Sequence, residues 1–312
     1  MRGITVVVVA DYLQHLCKGV SMITGLSEQV VFPSAKLIGS FEPGSPEWHE
    51  LRRGAVGGSQ VGAILGLNPW ESAVTAFYKA TGKMSDTVTP SMSMRLGTKL
   101  EAPILEIFAE EHPELQVFTT GTYASVSADW QHANPDGLYL DADGNWGIVE
   151  IKFSRDYWSA PPAHYVAQVR WYMHVLGIKQ ALIVALAGST YQEFEVGFDQ
   201  FEIDVMLQGV DRFRTHVVKG VQPDWDGSAS TYETIRAINP DIDSTSTEEL
   251  GDLGMWLSLA KDELDKAEVK YRELQSRTLD AMGVAKFGSV EDRVIVQRQQ
   301  RGSGLPFLTW KK

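Results

Sequence analysis

The sequence predicts an α/β domain built on a central mixed β-sheet flanked by helices, followed by a C-terminal appendage dominated by one long helix. Three observations predict it. Apolar residues recur at helical spacing across 94–111, with Leu96, Leu100, Ile104, Leu105 and Phe108 on one face. From 115 the period changes to the alternation of strands, and strand and helix periods then take turns as far as residue 219. Beyond a stretch at 221–245 rich in Pro, Asp, Ser and Thr, a heptad repeat begins.

The elements follow in order. Residues 1–44 carry a β-rich apolar patch, Val6 to Val9, and then mixed sequence without a period; they are read as an N-terminal extension, with Met22 as an alternative start. Ser45-Pro46-Glu47-Trp48 has the form of an N-cap with proline at the first helical position, opening a short helix through Arg53. Gly54, Gly57 and Gly58 make a turn, and Ser59 is placed to cap a helix reaching Leu65. Asn68-Pro69 ends that helix, Ser72 starts another toward Lys79, and His112-Pro113 ends the long one at 94–111. Strands are expected near 115–119, 122–127, 136–141 and 146–153, with Asp141 to Asn145 as the hairpin turn between the last two. A helix from Pro162 to Leu176, strands at 180–187 and 190–197, and a helix to Lys219 complete the core at 45–220. Residues 221–245 read as a linker, and 246–312 as a helical segment with a basic tail. Leu250, Leu253, Leu257, Ala260, Leu264, Ala267, Tyr271, Leu274 and Ala281 occupy a and d positions of one register, with Thr278 as the polar exception. Such a helix packs either on its own domain or on another helix.

Composition excludes several classes. The single cysteine, Cys17, rules out an internal disulfide, and neither a cysteine-built zinc site nor an iron–sulfur cluster can form from it; it fits a reducing cytoplasm. No apolar run approaches the ~18 residues of a membrane span, and no convincing signal-peptide cleavage site follows Ile4 to Ala10. The net charge of −12 argues against a broad basic face for nucleic acid. A site that holds divalent cations tolerates that balance, because the ions supply local positive charge, so contact through a localised groove is expected.

The chemistry concentrates in Asn134-Pro135-Asp136-Gly137, a hairpin, and Glu150-Ile151-Lys152. Asp136 heads one strand, while Glu150 and Lys152, two apart on the next, share a face. The arrangement brings two carboxylates and an ammonium to one point, as a magnesium-dependent phosphodiester hydrolase requires. Taken alone, Glu-x-Lys recurs on exposed strands as a solvated pair. Here Trp146 to Val149 and the flanking Ile151 and Phe153 make the strand mostly apolar, and charges on a buried strand need partners.

These residues resemble the Pro-Asp…Glu-x-Lys signature of the PD-(D/E)XK nuclease superfamily, and the neighbouring blocks are similar, in order, to its lambda-exonuclease/YqaJ-type viral recombinase branch. Trp48 to Gly54 with Gly58-Ser59 resembles the opening block, Leu96-Gly97 to Glu101 the helix glutamate, Asn134 to Gly137 the aspartate loop, and Tyr165 to Val169 the helix glutamine; the likeness spans 45–220. It implies a restriction-endonuclease-like core and a DNA exonuclease acting on linear duplex ends, 5′ to 3′, to leave single-stranded tails for phage-type recombination in the cytoplasm of an infected bacterium. Two Mg²⁺ ions are implied, with Mn²⁺ as substitute, held by Asp136, Glu150 and the Ile151 carbonyl, with Lys152 serving the nucleophilic water. Glu101 joins as a further carboxylate and Gln168 positions substrate or water. Arg52, preferred to Arg53, and Ser59, with Tyr165, are implied to hold the substrate and its 5′-phosphate. Partners implied are double-stranded DNA ends, a single-strand annealing protein and further copies in a trimer-like ring. Against these stand ordinary roles: Glu101 as a surface glutamate, Gln168 as a partner for buried backbone, Ser59 as a helix cap. Asn134 departs from the small residue or serine common at its place. Two rivals stay open: an endonuclease of the same superfamily, and a catalytically silent DNA-binding or assembly protein.

Overall fold

The computed structural model describes residues 23–26, 32–41, 44–85 and 90–311. The Val6–Val9 patch, Cys17 and Met22 lie outside them. The chain divides into two units, Met1–Pro240 and Asp241–Lys312.

In the first unit a six-stranded mixed sheet has the order β1-β4-β7-β8-β9-β10, formed by Thr24–Gly25, Gln116–Thr119, Gly137–Leu140, Trp146–Ser154, Gln180–Ala187 and Thr190–Gly197. The strands β7 and β8 pair antiparallel with Gly137 opposite Val149, whereas β8 and β9 run parallel with Glu150 opposite Ile183. A second sheet joins β2 (Ala35–Gly39), β5 (Thr122–Ser125), β6 (Gln131–Ala133) and β3 (Val56–Gly57). The helices are α1 (Pro46–Arg52), α2 (Gly58–Ile64), α3 (Ala73–Ala80), α4 (Met92–Glu111), α5 (Ala163–Leu176), α6 (Gln200–Lys219) and α7 (Ala229–Ile238).

Strand β8 organises two apolar layers because successive side chains point to opposite faces. Val149 and Ile151 pack with Ile104, Leu105 and Phe108 of α4. Ile148 points the other way, into the cluster with Val169, Trp171 and Met173 of α5 and Ile203 and Val210 of α6. Glu150 and Lys152 lie on the Ile148 face, toward α5. Their charge is therefore held between sheet and helix rather than on the surface.

Helix α2 approaches α5 closely through its glycines. A Cβ on Gly58 would meet the Tyr172 ring at 2.5 Å and the Gln168 carbonyl oxygen at 3.0 Å, and one on Gly62 would meet the His164 Cβ at 2.9 Å. This contact sets the distance between the Arg52–Ser59 region and the helix that carries Gln168.

Three expectations change. Ser59 lies inside α2, and the cap is Gly57, whose N–H donates to the Gln60 side chain at 2.9 Å. The stretch read as a linker contains α7, which docks on α3 through hydroxyls: Thr231 and Thr234 are buried, Ser72 Oγ bonds Thr231 at 2.7 Å and Thr75 bonds Thr234 at 2.8 Å. Its inward face mixes these hydroxyls with the half-buried Ile235 and Ile238. In the second unit the basic tail folds into strands: β11 (Phe287–Val290), β12 (Arg293–Gln299) and β13 (Phe307–Trp310) form an antiparallel sheet that packs near the end of α8 (Asp252–Met282), where Trp310 Nε1 donates to the Tyr271 hydroxyl at 2.9 Å. Leu250 precedes this helix, so the heptad face starts at Leu253.

Two glycine substitutions are expected to move stability in opposite directions. Gly58→Ala forces a methyl against the Gln168 backbone and lowers stability by about 1–3 kcal/mol. Gly97→Ala, inside α4 with nothing within 4 Å of the new methyl, raises it by about 0.5–1 kcal/mol. Chemical denaturation of both variants checks the pair, and equal effects would contradict the packing described.

Candidate active site

The site forms where β8 runs past the start of β7. Because Gly137 pairs with Val149, the backbone of β8 beyond that point has no β7 partner, and the Asp136 side chain takes the place of one: the Ile151 N–H donates to Asp136 Oδ2 at 2.6 Å. This bond fixes the carboxylate beside the backbone of Ile151.

Glu150 is 1% exposed. Its Oε1 accepts from Lys152 Nζ at 2.5 Å and from Gln168 Nε2 at 2.5 Å, and Gln168 Nε2 also donates to the Tyr172 hydroxyl at 3.0 Å. Its Oε2 is buried with no hydrogen-bond partner among the described residues. Burial, then the nearby Asp136 carboxylate, pushes the Glu150 carboxyl up to about 8 against the pull of Lys152. The Lys152 ammonium is held above its ordinary range by Glu150 and Asp136, which outweigh its own burial. Asp136 is raised, chiefly by desolvation, with Lys152 and the Ile151 N–H opposing. Glu101 on α4 is pushed up to about 7, by burial first and then by Asp136. Glu101 therefore feels the charges of the site, although it does not line the cavity.

That cavity, of about 210 Å³, is walled by Asp136, Glu150, Lys152 and Gln168 on one side and by Arg52, Gly57 and Ser59 on the other. Arg52 Nη2 donates to Ser59 Oγ at 3.4 Å, and its guanidinium lies 4.3 Å from the centre of the Trp48 ring. Arg53 instead pairs with Glu50 at the surface. The structure thus brings Arg52, Ser59, Asp136, Glu150, Lys152 and Gln168 together. Tyr165 borders them on the side of Lys152. Tyr165 lines a separate cavity of about 560 Å³ with Trp70, Trp158 and His164, and its ring centre stands 5.0 Å from Lys152 Nζ. Of the tryptophans, Trp171 is a core residue whose Nε1 donates to the His132 carbonyl at 2.8 Å, and Trp70 is exposed.

Several lining residues escape the sequence patterns. Tyr172 follows Gln168 by one helical turn, a spacing that puts both on one face. Thr122 and His132 reach the cavity through the fold alone. Asn134 accepts from the Thr122 hydroxyl at 2.9 Å at the rim.

The donor set suits a hard cation. Asp136 and Glu150 offer carboxylate oxygen, Ile151 is within reach of Asp136, and the partnerless Glu150 Oε2 is the kind of buried oxygen that a cation satisfies. Among the described residues no group of three or more His, Cys, Asp or Glu stands ready to hold a metal, so two carboxylates leave the rest of a coordination shell to backbone oxygen, water and phosphate.

Comparison with known proteins follows the same residues. Residues 47–179 match the YqaJ-like viral recombinase domain. The uncharacterized protein YqaJ of Bacillus subtilis (strain 168) is 23% identical over 262 residues, which cover 78% of this chain and 80% of that protein. Among solved structures, an alkaline exonuclease from Laribacter hongkongensis is 19% identical with a TM-score of 0.48, covering 63% of this chain and 100% of its own. A phage-related exonuclease from Haemophilus somnus 129PT is 13% identical with a TM-score of 0.42, covering 55% and 99%. Residues 47–179, which match the YqaJ-like viral recombinase domain, hold Arg52, Ser59, Asp136, Glu150, Lys152 and Gln168.

Proposed function

We propose that the protein is a metal-dependent deoxyribonuclease that digests one strand of linear duplex DNA from its end, 5′ to 3′. The observation that carries this reading is a single cavity holding a buried carboxylate with one unsatisfied oxygen, a second carboxylate, an ammonium, and Arg52 with Ser59 opposite.

Asp136, Glu150 and the Ile151 carbonyl are assigned to hold Mg²⁺, two ions in the full site, with Mn²⁺ as substitute. Bound there, the ions would supply Lewis-acid charge for phosphodiester hydrolysis. The chain's own groups do the rest. Gln168, anchored to the Tyr172 hydroxyl, holds Glu150 Oε1 in place. Lys152, which keeps its proton across the neutral range, orients the attacking water and offsets charge on the phosphate. Arg52, braced against Trp48 and Ser59, grips a terminal phosphate with its planar fork. Glu101 adds negative charge from α4 once it loses its proton near pH 7. The reading places the protein in end resection during phage-type recombination, with a single-strand annealing protein as partner and a ring of copies as the assembly by family likeness.

Digestion of a 5′-phosphorylated linear duplex is expected to require Mg²⁺ and to fall by about a thousandfold or more in Asp136→Ala and Lys152→Ala. Arg52→Ala is expected to remove the advantage of a phosphorylated over a dephosphorylated end, about tenfold in KM, with kcat little changed. Nicking of covalently closed circles at the same rate would replace this reading with an endonuclease.

Proton linkage gives a second test. Glu150 and Glu101 bind protons more tightly in the folded chain, at about 8 and about 7, than at the ordinary value of 4.5. Folding therefore takes up protons in this window, and the metal-free protein loses stability as pH rises from 4.5 toward 8. Melting temperatures in chelator are expected to fall over that range, with a shallower slope in Glu150→Gln; an identical slope in the variant would show that Glu150 titrates normally.

A further inference from the structure

We propose that the cavity on the far side of Lys152 from Arg52 takes one unpaired nucleobase, that of the nucleotide next after the scissile phosphate, against the ring of Trp70. The inference rests on the nuclease reading for the identity of the strand and adds a second binding site to it.

This cavity, of about 560 Å³, lies wholly in the first unit and is larger than the catalytic one, of about 210 Å³. Its walls are made of rings. His164 and Tyr165 pack with ring centres 4.0 Å apart, Trp158 lies 5.5 Å from Tyr165 at an angle of 33°, and Trp70 stands edge-on to His164 at 5.2 Å. Trp158 is also pinned by its backbone, whose N–H donates to Gln192 Oε1 at 3.1 Å and whose carbonyl accepts from Gln192 Nε2 at 2.8 Å. Trp70 differs from the other three rings. Its side chain projects from a turn that Asn68 fixes by accepting the Trp70 N–H at 2.8 Å, and it is 69% exposed. An indole left open to water forgoes a large gain from burial. A nucleobase recovers that gain, because every base presents a flat π face to an aromatic ring.

The charge of the cavity points to a base and not to a phosphate. Arg155 and Asp156 share its rim and offset one another. Burial, then Lys152, holds the His164 imidazole below its ordinary range, so the wall itself is uncharged at neutral pH. With a net charge of −12 the chain has little basic surface for the DNA backbone, and stacking supplies strand affinity that ion pairs would otherwise give.

The order of parts along one helix pair fixes which base is bound. Helices α2 and α5 run antiparallel, since Gly58 approaches Gln168 and Tyr172 while Gly62, one turn on, approaches His164. Arg52 and Ser59 therefore stand at one end of the site and Trp70, in the loop after α2, at the other, with Lys152 between them. Tyr165 is the junction: it lines the second cavity, and its ring centre lies 5.0 Å from Lys152 Nζ. A strand held by its 5′-phosphate at Arg52 and cut beside Lys152 runs on past Tyr165. The first base it offers beyond the cut belongs to its second nucleotide. Inside a duplex both faces of that base are already stacked, so only a base freed from the helix can lie on Trp70.

The test uses the full chain and begins with binding in chelator, where nothing is hydrolysed. The probe is a short 5′-phosphorylated thymidine oligonucleotide with a 3′ fluorophore, read by anisotropy. The same strand with an abasic second nucleotide is expected to bind about tenfold more weakly. Trp70→Ala is expected to lose about as much with the intact strand and nothing further with the abasic one, because both changes remove one contact. Trp70→Phe keeps a ring and is expected to retain most of the affinity. Equal binding of the two strands by the unaltered chain, or losses that multiply to about a hundredfold, would overturn the proposal. Mg²⁺-dependent digestion of linear duplex then separates the two readings. Trp70-dependent binding without digestion would remove the nuclease and keep the site for the base, whereas digestion by a chain that binds both strands alike would do the reverse.

Discussion

The Glu150 carboxylate, nearly sealed from water with only one of its oxygens satisfied, is the constraint around which the catalytic unit is arranged. Burying a carboxylate without compensation costs several kcal/mol, so its neighbours are fixed by the need to offset it. Lys152 supplies charge from two residues along the same strand face. Gln168 supplies a donor from α5, and Tyr172 keeps that donor aimed. The close approach of α2 to α5 at Gly58 then sets Arg52 and Ser59 across the cavity from the carboxylates. The remaining oxygen is left for a group that the chain itself does not provide. Stability and chemistry thus pull apart at one atom: what makes Glu150 costly in the metal-free fold is what suits it to a cation.

Much of this was legible in the sequence, for reasons that differ by element. The period change after His112 located the sheet, and the hairpin turn at Asp141 to Asn145 put Asp136 beside the Glu150 strand. Alternation along 146–154 placed Glu150 and Lys152 on one face, and the apolar neighbours marked that face as buried. Arg52 was separable from Arg53 only by motif order; the fold distinguishes them because Arg53 turns to Glu50 at the surface.

What the sequence withheld depends on contacts between distant segments. Tyr165, three positions before Gln168 and its neighbour on the helix surface, meets the site at Lys152 but lines a cavity with Trp70 and Trp158, which no local spacing links to it. Helix α7 lies in a stretch rich in Pro, Asp, Ser and Thr, and its buried contacts run largely through hydroxyls, which hydropathy does not register. The strands β11 to β13 lie in what the sequence reads as a basic tail, because their charges are those of an exposed sheet.

The most direct test of the account concerns the proton on Glu150. Calorimetric titration of Mg²⁺ into the full chain at pH 7, in two buffers of different ionisation enthalpy, measures protons released on binding. Because the Glu150 carboxyl holds its proton up to about 8 in the metal-free protein, binding is predicted to expel about one proton per chain, and Glu150→Gln to abolish both binding and release. Binding with no proton release, or binding that survives in Glu150→Gln, would contradict the assignment of this buried carboxylate as the seat of the cation.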